Sequence, residues 1–280
     1  MCFSSERAGR SRSSPVGVWR TVFGNVSHRA IRVWQRNADV WATTWLVNFI
    51  PPLFEPILYV LAFGMGMGSL IGTVVYGGTE IPYLRFMIPG VISVAIMFWS
   101  YFETTYASFV RMYYQRTFDA IMATPLLAED VIAGEWIWGA TKAVMAATVM
   151  LVIVGAFGLV AFPQGLLIVP LSALGGLLFS ALGLVTTALA PRIDHFNIPS
   201  FLIIFPMFLF SGTFFPIDVL PQWATHVALA LPLTHVSFLV RALCLGRPAP
   251  LWPWHLLYLT LGSLVAGGLA IVLMRRRLVR

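Results

Sequence analysis

The chain has 280 residues, 59% of them apolar and 10% charged, with a formal net charge of +7. Soluble globular domains run near a quarter charged, so this composition excludes one and predicts a protein that lives in a bilayer. The basic excess follows the rules of membrane topology and requires no nucleic acid.

Residues 1–15 are rich in Ser and Arg and predict a disordered basic tail. Residues 16–40 predict an amphipathic helix lying flat on the inner leaflet. On a helical wheel Trp19, Val22, Phe23, Val26, Ala30, Val33 and Trp34 share one face, and Arg29, Arg32 and Arg36 flank it. The first apolar run begins near Trp41, too far along for a cleavable signal peptide.

Residues 41–280 predict a single transmembrane domain. Charge-free runs lie at 56–79, 86–102, 143–191, 195–217, 219–240 and 248–274. The 143–191 run would be roughly 73 Å long as a helix. A bilayer core is about 30 Å thick, so that run holds two spans, turned at Phe162-Pro163-Gln164-Gly165. The run at 219–240 contains Pro221, Pro232, Gln222, His226, Thr234 and His235. Two prolines each remove a helix donor, and the polar side chains are expensive against lipid. It predicts two short helices that dip into the outer face. Six spans remain, near 45–69, 87–109, 138–160, 166–189, 197–213 and 253–274. The fold class is therefore an all-α polytopic membrane protein with a re-entrant segment over 214–245.

An even number of spans puts both termini on one side. Arg7, Arg10, Arg12, Arg20, Arg29, Arg32, Arg36, Arg111, Arg116, Arg192, Arg275, Arg276, Arg277 and Arg280 then share that side. These are fourteen of the 18 basic residues, so the positive-inside rule makes it the cytoplasm. Arg85, Arg241 and Arg247 face out, and Lys142 lies where a span enters the bilayer. Cys2 and Cys244 fall on opposite sides and cannot pair within a chain.

Between the second and third spans lies a polar island, Glu103 to Glu135, whose section 111–135 predicts a loop holding a short helix. It carries Arg111, Arg116, Asp119, Glu129, Asp130 and Glu135. A loop that only turns the chain needs fewer polar residues, so this one predicts a docking surface for a soluble partner. In the first span Gly64, Gly68 and Gly72 recur at four-residue spacing, as do Ser172, Gly176 and Ser180 in the fourth. Such stripes let helices approach closely, either between subunits or within the bundle.

Two acids lie within spans. An ionised side chain at the bilayer centre costs ~2.5–3.5 kcal/mol on insertion scales. Glu55 and Glu103 therefore face a cavity, take a partner or carry a proton. They serve either as a polar lining of a transport path or as structural hydrogen-bonding groups. The sole lysine, Lys142, is followed by Ala143, so no phosphate-binding Gly-x-x-x-x-Gly-Lys-Ser/Thr loop exists. Any nucleotide energy must come from another chain. The histidines at 28, 195, 226, 235 and 255 have no HExxH spacing, and no serine lies in Gly-x-Ser-x-Gly. Asp218, His226 and His235 are the nearest approach to a catalytic group. Catalytic, metal-binding and cofactor-binding residues are thus all expected to be absent.

Several strings carry a resemblance. They are Glu55-Pro56-Ile57-Leu58-Tyr59, Phe102-Glu103-Thr104-Thr105-Tyr106-Ala107-Ser108-Phe109 and Gln115-Arg116-Thr117-Phe118-Asp119-Ala120-Ile121. Then follow Thr187-Ala188-Leu189-Ala190-Pro191, Phe210-Ser211-Gly212-Thr213-Phe214-Phe215-Pro216, and Leu231-Pro232-Leu233-Thr234-His235 with Arg241. In this order over 45–245, they make the chain similar to type-2 ABC exporter permeases, within them to the NodJ-like branch. The resemblance implies a coupling helix between spans two and three and a dimer of permeases with two cytoplasmic ABC ATPase subunits. ATP and magnesium would sit on the ATPase, and this chain would bind no cofactor. Coupling falls to Arg116, Thr117, Phe118, Asp119, Thr124, Pro125 and Glu129, an outer gate to Phe214, Phe215, Pro216, Pro232 and His235, and the transport path to Glu55 and Glu103. The branch is associated with export of lipo-oligosaccharides, across a bacterial inner membrane whose lipids are further partners. A competing reading is a proton-coupled secondary transporter or channel with Glu55 and Glu103 as relay. A membrane enzyme comes third.

Overall fold

The computed structural model describes residues 26–247 and 250–279, together with Gly24. The 1–15 tail, most of the first half of the 16–40 helix, Cys2 and Arg280 lie outside the described residues. The first helix, α1, runs Ala30–Thr43. It is followed by α2 (Trp45–Ile71), a hairpin of β1 (Thr73–Tyr76) and β2 (Thr79–Pro82), and α3 (Tyr83–Tyr114). The short α4 (Thr117–Met122) leads to α5 (Ala128–Ala156), α6 (Gln164–Leu189) and α7 (Ile193–Phe210). Two further short helices, α8 (Gln222–Ala230) and α9 (Pro232–Leu245), precede α10 (Trp252–Leu278). Six of these helices, α2, α3, α5, α6, α7 and α10, are long and apolar enough to cross a membrane. They match the six expected spans in number and order.

The boundaries differ in an instructive place. The second span was expected to end near 109 and the third to start near 138. Instead α3 continues to Tyr114 and α5 begins at Ala128. Only 115–127 lies between them, so the loop expected over 111–135 is about half that length. Its charges ride on helix ends because they pair with each other across the helices.

The hairpin was not anticipated. Tyr76 and Thr79 flank Gly77 and Gly78, both at positive φ, and two such glycines make the tight turn that joins antiparallel strands without splaying them.

The core is laid down by α3, α5 and α6. Gly176 of α6 lies on the backbone of Ala140, and Gly183 lies on the carbonyl of Tyr101 and the side chain of Thr104. A Cβ at Gly183 would come within 2.8 Å of that carbonyl oxygen, so the small-residue stripe of α6 is spent on packing inside this chain. The stripe of α2 is only partly so used: a Cβ at Gly64 would lie 3.3 Å from Leu84 of α3, whereas among the described residues nothing lies within 4 Å of one at Gly72. Gly72, at φ 68°, ends the helix. A second apolar cluster gathers at one end of the bundle, from Val33, Phe109, Phe118, Phe196 and Ile271. Of the apolar face expected for the 16–40 helix, Val26 and Val33 pack into this cluster and Trp34 lies on α5, while Trp19, Val22 and Phe23 lie outside the described residues. Val33 meets Gly134, where any larger residue would clash, and Trp34 Nε1 donates to Thr141 Oγ1 at 2.9 Å.

Candidate functional site

Three helix ends meet at a buried charge network. The wide π-type turns of α3, Glu103–Ala107 and Val110–Tyr114, carry Glu103 and Arg111; such turns recur at functional positions. Arg111 reaches Glu103 Oε1 through Nη1 at 2.9 Å and Glu135 Oε2 of α5 through Nη2 at 2.6 Å. Glu135 also accepts from Ser108 Oγ at 2.5 Å and from Asn37 Nδ2 of α1 at 2.8 Å. Glu103 accepts from Trp138 Nε1 at 2.9 Å, and its other oxygen lies 3.9 Å from Lys142 Nζ. Beside them Arg36 of α1 donates to Asn37 Oδ1 at 3.0 Å. Burial and the charge of Arg111 lower the pKa of the Arg36 guanidinium, with Glu135 pulling the other way.

The network borders an open cleft of about 490 Å³ walled by α1, α2, α3 and α5. Glu55 lies apart from it. Half-buried on α2, it accepts a long hydrogen bond from Trp99 Nε1 at 3.4 Å. The two acids expected to share a role share no hydrogen bond. Lys142 stands between their surroundings, its Nζ 5.6 Å from the Trp99 ring.

Beyond the network, Arg116 takes the left-handed conformation at φ 50°, a turn that non-glycine residues seldom make. It redirects the chain into α4. Phe118 is buried in the end cluster, while Asp119 on the same short helix is exposed. Thr117 is half-buried, and Thr124 and Pro125 are exposed. The turn is pinned from behind. Arg29 Nη1 donates to the Pro125 carbonyl at 2.7 Å. Asp130 accepts from the backbone of Leu127 at 3.2 Å and of Ser27 at 2.7 Å. Glu129 is buried and meets Arg275 Nε at 3.3 Å, tying α5 to the end of α10. Of the seven residues expected there, Arg116, Asp119, Thr124 and Pro125 are exposed, Thr117 is half-buried, and Phe118 and Glu129 are buried.

At the opposite end, Phe214 packs on Phe208 at 5.1 Å and on Phe63 of α2 at 5.9 Å. Phe215 is half-buried and Pro216 buried. Pro232 begins α9, which turns 86° from α8. His235 is buried, its Nδ1 2.7 Å from His255 Nδ1 and its ring stacked on Tyr258. Asp218 and His226 are exposed, so they do not converge on His235. No cluster suited to a metal ion occurs among the described residues. Arg241 of α9 joins the two motifs: it donates from Nη2 to the Gly212 carbonyl at 2.6 Å and from Nε to the Phe86 carbonyl at 3.2 Å.

Residues 29–245 match the model of the ABC-2 type transporter family. The chain belongs to this family. Nodulation protein J of Rhizobium leguminosarum bv. trifolii is 38% identical over 250 residues, covering 89% of this chain and 94% of that protein. Its namesake from Rhizobium meliloti strain 1021 is 36% identical over 248 residues, 89% and 93% of the two chains. The inner membrane transport permease YadH of Escherichia coli K12 is 22% identical over 205 residues, 73% and 78%. An ABC-2 permease is the multi-pass membrane subunit of an ABC transporter; it is not the ATPase, and works with one.

Asn37 and Trp138 carry no signal of this role in the sequence, and nothing there marks Arg111, Glu135, Glu103 and Lys142 as one network. The available signal was the rule that every charge inside a bundle needs a named partner; Glu103 had to find one.

Proposed function

We propose that this chain is the export permease for an amphiphilic cargo of the lipo-oligosaccharide class, taken from the cytoplasmic side of a bacterial inner membrane. The cargo class rests on the NodJ-like resemblance. The proton-relay reading is not favoured, because Glu103 is engaged by Arg111 and Trp138 and shares no bond with Glu55. The observation that carries the reading is the pinned turn at 115–127. A surface that receives force from an ATPase has to be stiff, and this one is braced by Ser27 and Arg29 just before α1, by α5 and by α10. Both termini and this turn lie in the cytoplasm, α1 lies along the inner surface, and α8 with α9 re-enters from outside. At 9 and 14 residues, those two helices reach only ~14 and ~21 Å. The working unit is a dimer with two ATPase subunits that carry ATP and magnesium. In its favour, α2 and α7 bury only 17% of their most apolar stretches within the chain, against 78% for α3.

The coupling role predicts that Asp119→Arg combined with Thr124→Arg removes export and the cargo-stimulated part of ATPase activity, with normal membrane levels. Reaction of an Asp119→Cys variant with an impermeant thiol reagent from the periplasm would overturn both topology and role. The path role predicts that Glu55→Leu impairs export several-fold while Glu55→Gln retains most of it. Export is read against the amount of permease in the membrane, and a fully active Glu55→Leu reduces the residue to a packing contact.

A further inference from the structure

The cleft beside the charge network has three cations on its wall, Arg36, Arg111 and Lys142, and one carboxylate, Glu103. Glu135 is sealed behind the wall at 1% exposure. The carboxylates are largely consumed by Arg111, which bonds both. Two cations are left short. Among the described residues Arg36 donates only to a neutral amide, Asn37. Lys142 is 6% exposed, and its nearest carboxylate oxygen is 3.9 Å away, outside hydrogen-bond reach. An ammonium has three donors, and among the described residues none of these three meets a protein acceptor. Lys142 keeps only that long ion pair and two ring contacts, Trp41 at 5.9 Å and Trp99 at 5.6 Å, and half-buried Arg36 only an amide, so the cleft carries weakly satisfied positive charge.

Its shape says what completes it. The remaining wall is mixed, with Trp41, Thr44, Asn48, Tyr106 and Gln115. Next to it the surface of α2 is apolar and bare: Trp45, Leu46 and Val47 are 54%, 56% and 73% exposed. A ligand seated here places a small anionic group against Arg36 and Lys142 and has an apolar surface alongside for a hydrocarbon tail.

We propose that the cleft between α1, α2, α3 and α5 is a binding site for a phosphate-class anion, with Arg36 and Lys142 as its cationic contacts. The anion comes either from the headgroup of an acidic phospholipid or from free phosphate. This site is independent of the cargo assignment, because it is read as binding and needs no transport.

The test uses the permease with its ATPase partner in nanodiscs of mixed phosphatidylglycerol and phosphatidylcholine, with retained lipid counted by native mass spectrometry. Phosphatidylglycerol should be kept selectively. Arg36→Gln should weaken its retention about tenfold, the size of one charge-assisted hydrogen bond, and leaves the Arg111–Glu135 pair untouched. Thr44→Phe, which fills the cleft without removing a charge, should do the same. A second arm omits acidic lipid and titrates inorganic phosphate against thermal unfolding. Stabilisation there that disappears in Arg36→Gln assigns the free anion; selective lipid retention without it assigns the headgroup. Equal lipid retention in wild type and both variants, with no response to phosphate, overturns the site.

Discussion

Glu135→Ala is expected to cost about 3–5 kcal/mol of stability, the range for removing one partner of a buried ion pair. The side chain is 1% exposed and serves three neighbours at once. Its loss leaves the guanidinium of Arg111, 2.6 Å away, with one carboxylate instead of two. It also strips Asn37 of the acceptor that links α1 to α5 at 2.8 Å, and Ser108 of its partner at 2.5 Å. The measurement is thermal unfolding of the purified protein in mild detergent, with membrane yield beside it. A second variant separates the loss of an ion pair from the loss of volume. Arg111→Met together with Glu135→Leu removes both charges and keeps the space filled, while Glu103 keeps its bond from Trp138 and the nearby Lys142 ammonium, so it should recover most of the stability. If the double variant is as unstable as Glu135→Ala, the network is stabilised by packing and the electrostatic account fails.

The same network explains why the sequence was legible in some places and not in others. Span number and order followed from long charge-free runs, because a bilayer thickness sets their length. Span ends did not follow. Treating charges as fences placed Arg111 and Glu135 in a loop, whereas each offsets the other and both sit on helices. A charge marks a span end only when it has no partner across the helix interface, and pairing of residues 24 apart cannot be read from hydropathy. The hairpin at 73–82 was readable in principle from Gly77-Gly78 between Val-Val-Tyr and Thr-Glu-Ile. It was obscured because the first span's apolar run continues into it without a charge. In the candidate site, a turn between α3 and α5 was expected from its polarity. Which of its residues point outward depended on how α4 rotates after Arg116, and that backbone turn has no reliable sequence mark. Phe118 therefore belongs to the cluster beneath the surface, beside Phe109 and Phe196.

At the far end of the bundle, Arg241→Ala is expected to cost about 2–4 kcal/mol, from an unpaired carbonyl and a large buried side chain removed. Arg241 is 2% exposed, yet no carboxylate is paired with it among the salt bridges of the described residues. Its charge is held by the carbonyls of Gly212 and Phe86 and by the Phe86 ring, 4.1 Å from Cζ. Buried cation–ring contacts of this kind contribute ~2 kcal/mol. Gly212 sits at φ 69°, where the chain reverses after α7, and Ser237 Oγ adds a bond to the Ser211 carbonyl at 3.1 Å. Together α9 fixes the turn that carries Phe214, Phe215 and Pro216. Lysine keeps the charge but has no planar fork to hold two carbonyls at once, so Arg241→Lys should behave more like alanine than like wild type. The loss should be local as well as global: a cysteine at Phe215 should react faster with a thiol reagent in the Arg241→Ala background than in the wild-type background. Unchanged labelling alongside a lowered unfolding temperature would show that Arg241 supports the bundle generally and does not set the position of the turn. A fully stable Arg241→Lys would show that charge alone suffices and that the two-carbonyl geometry is incidental.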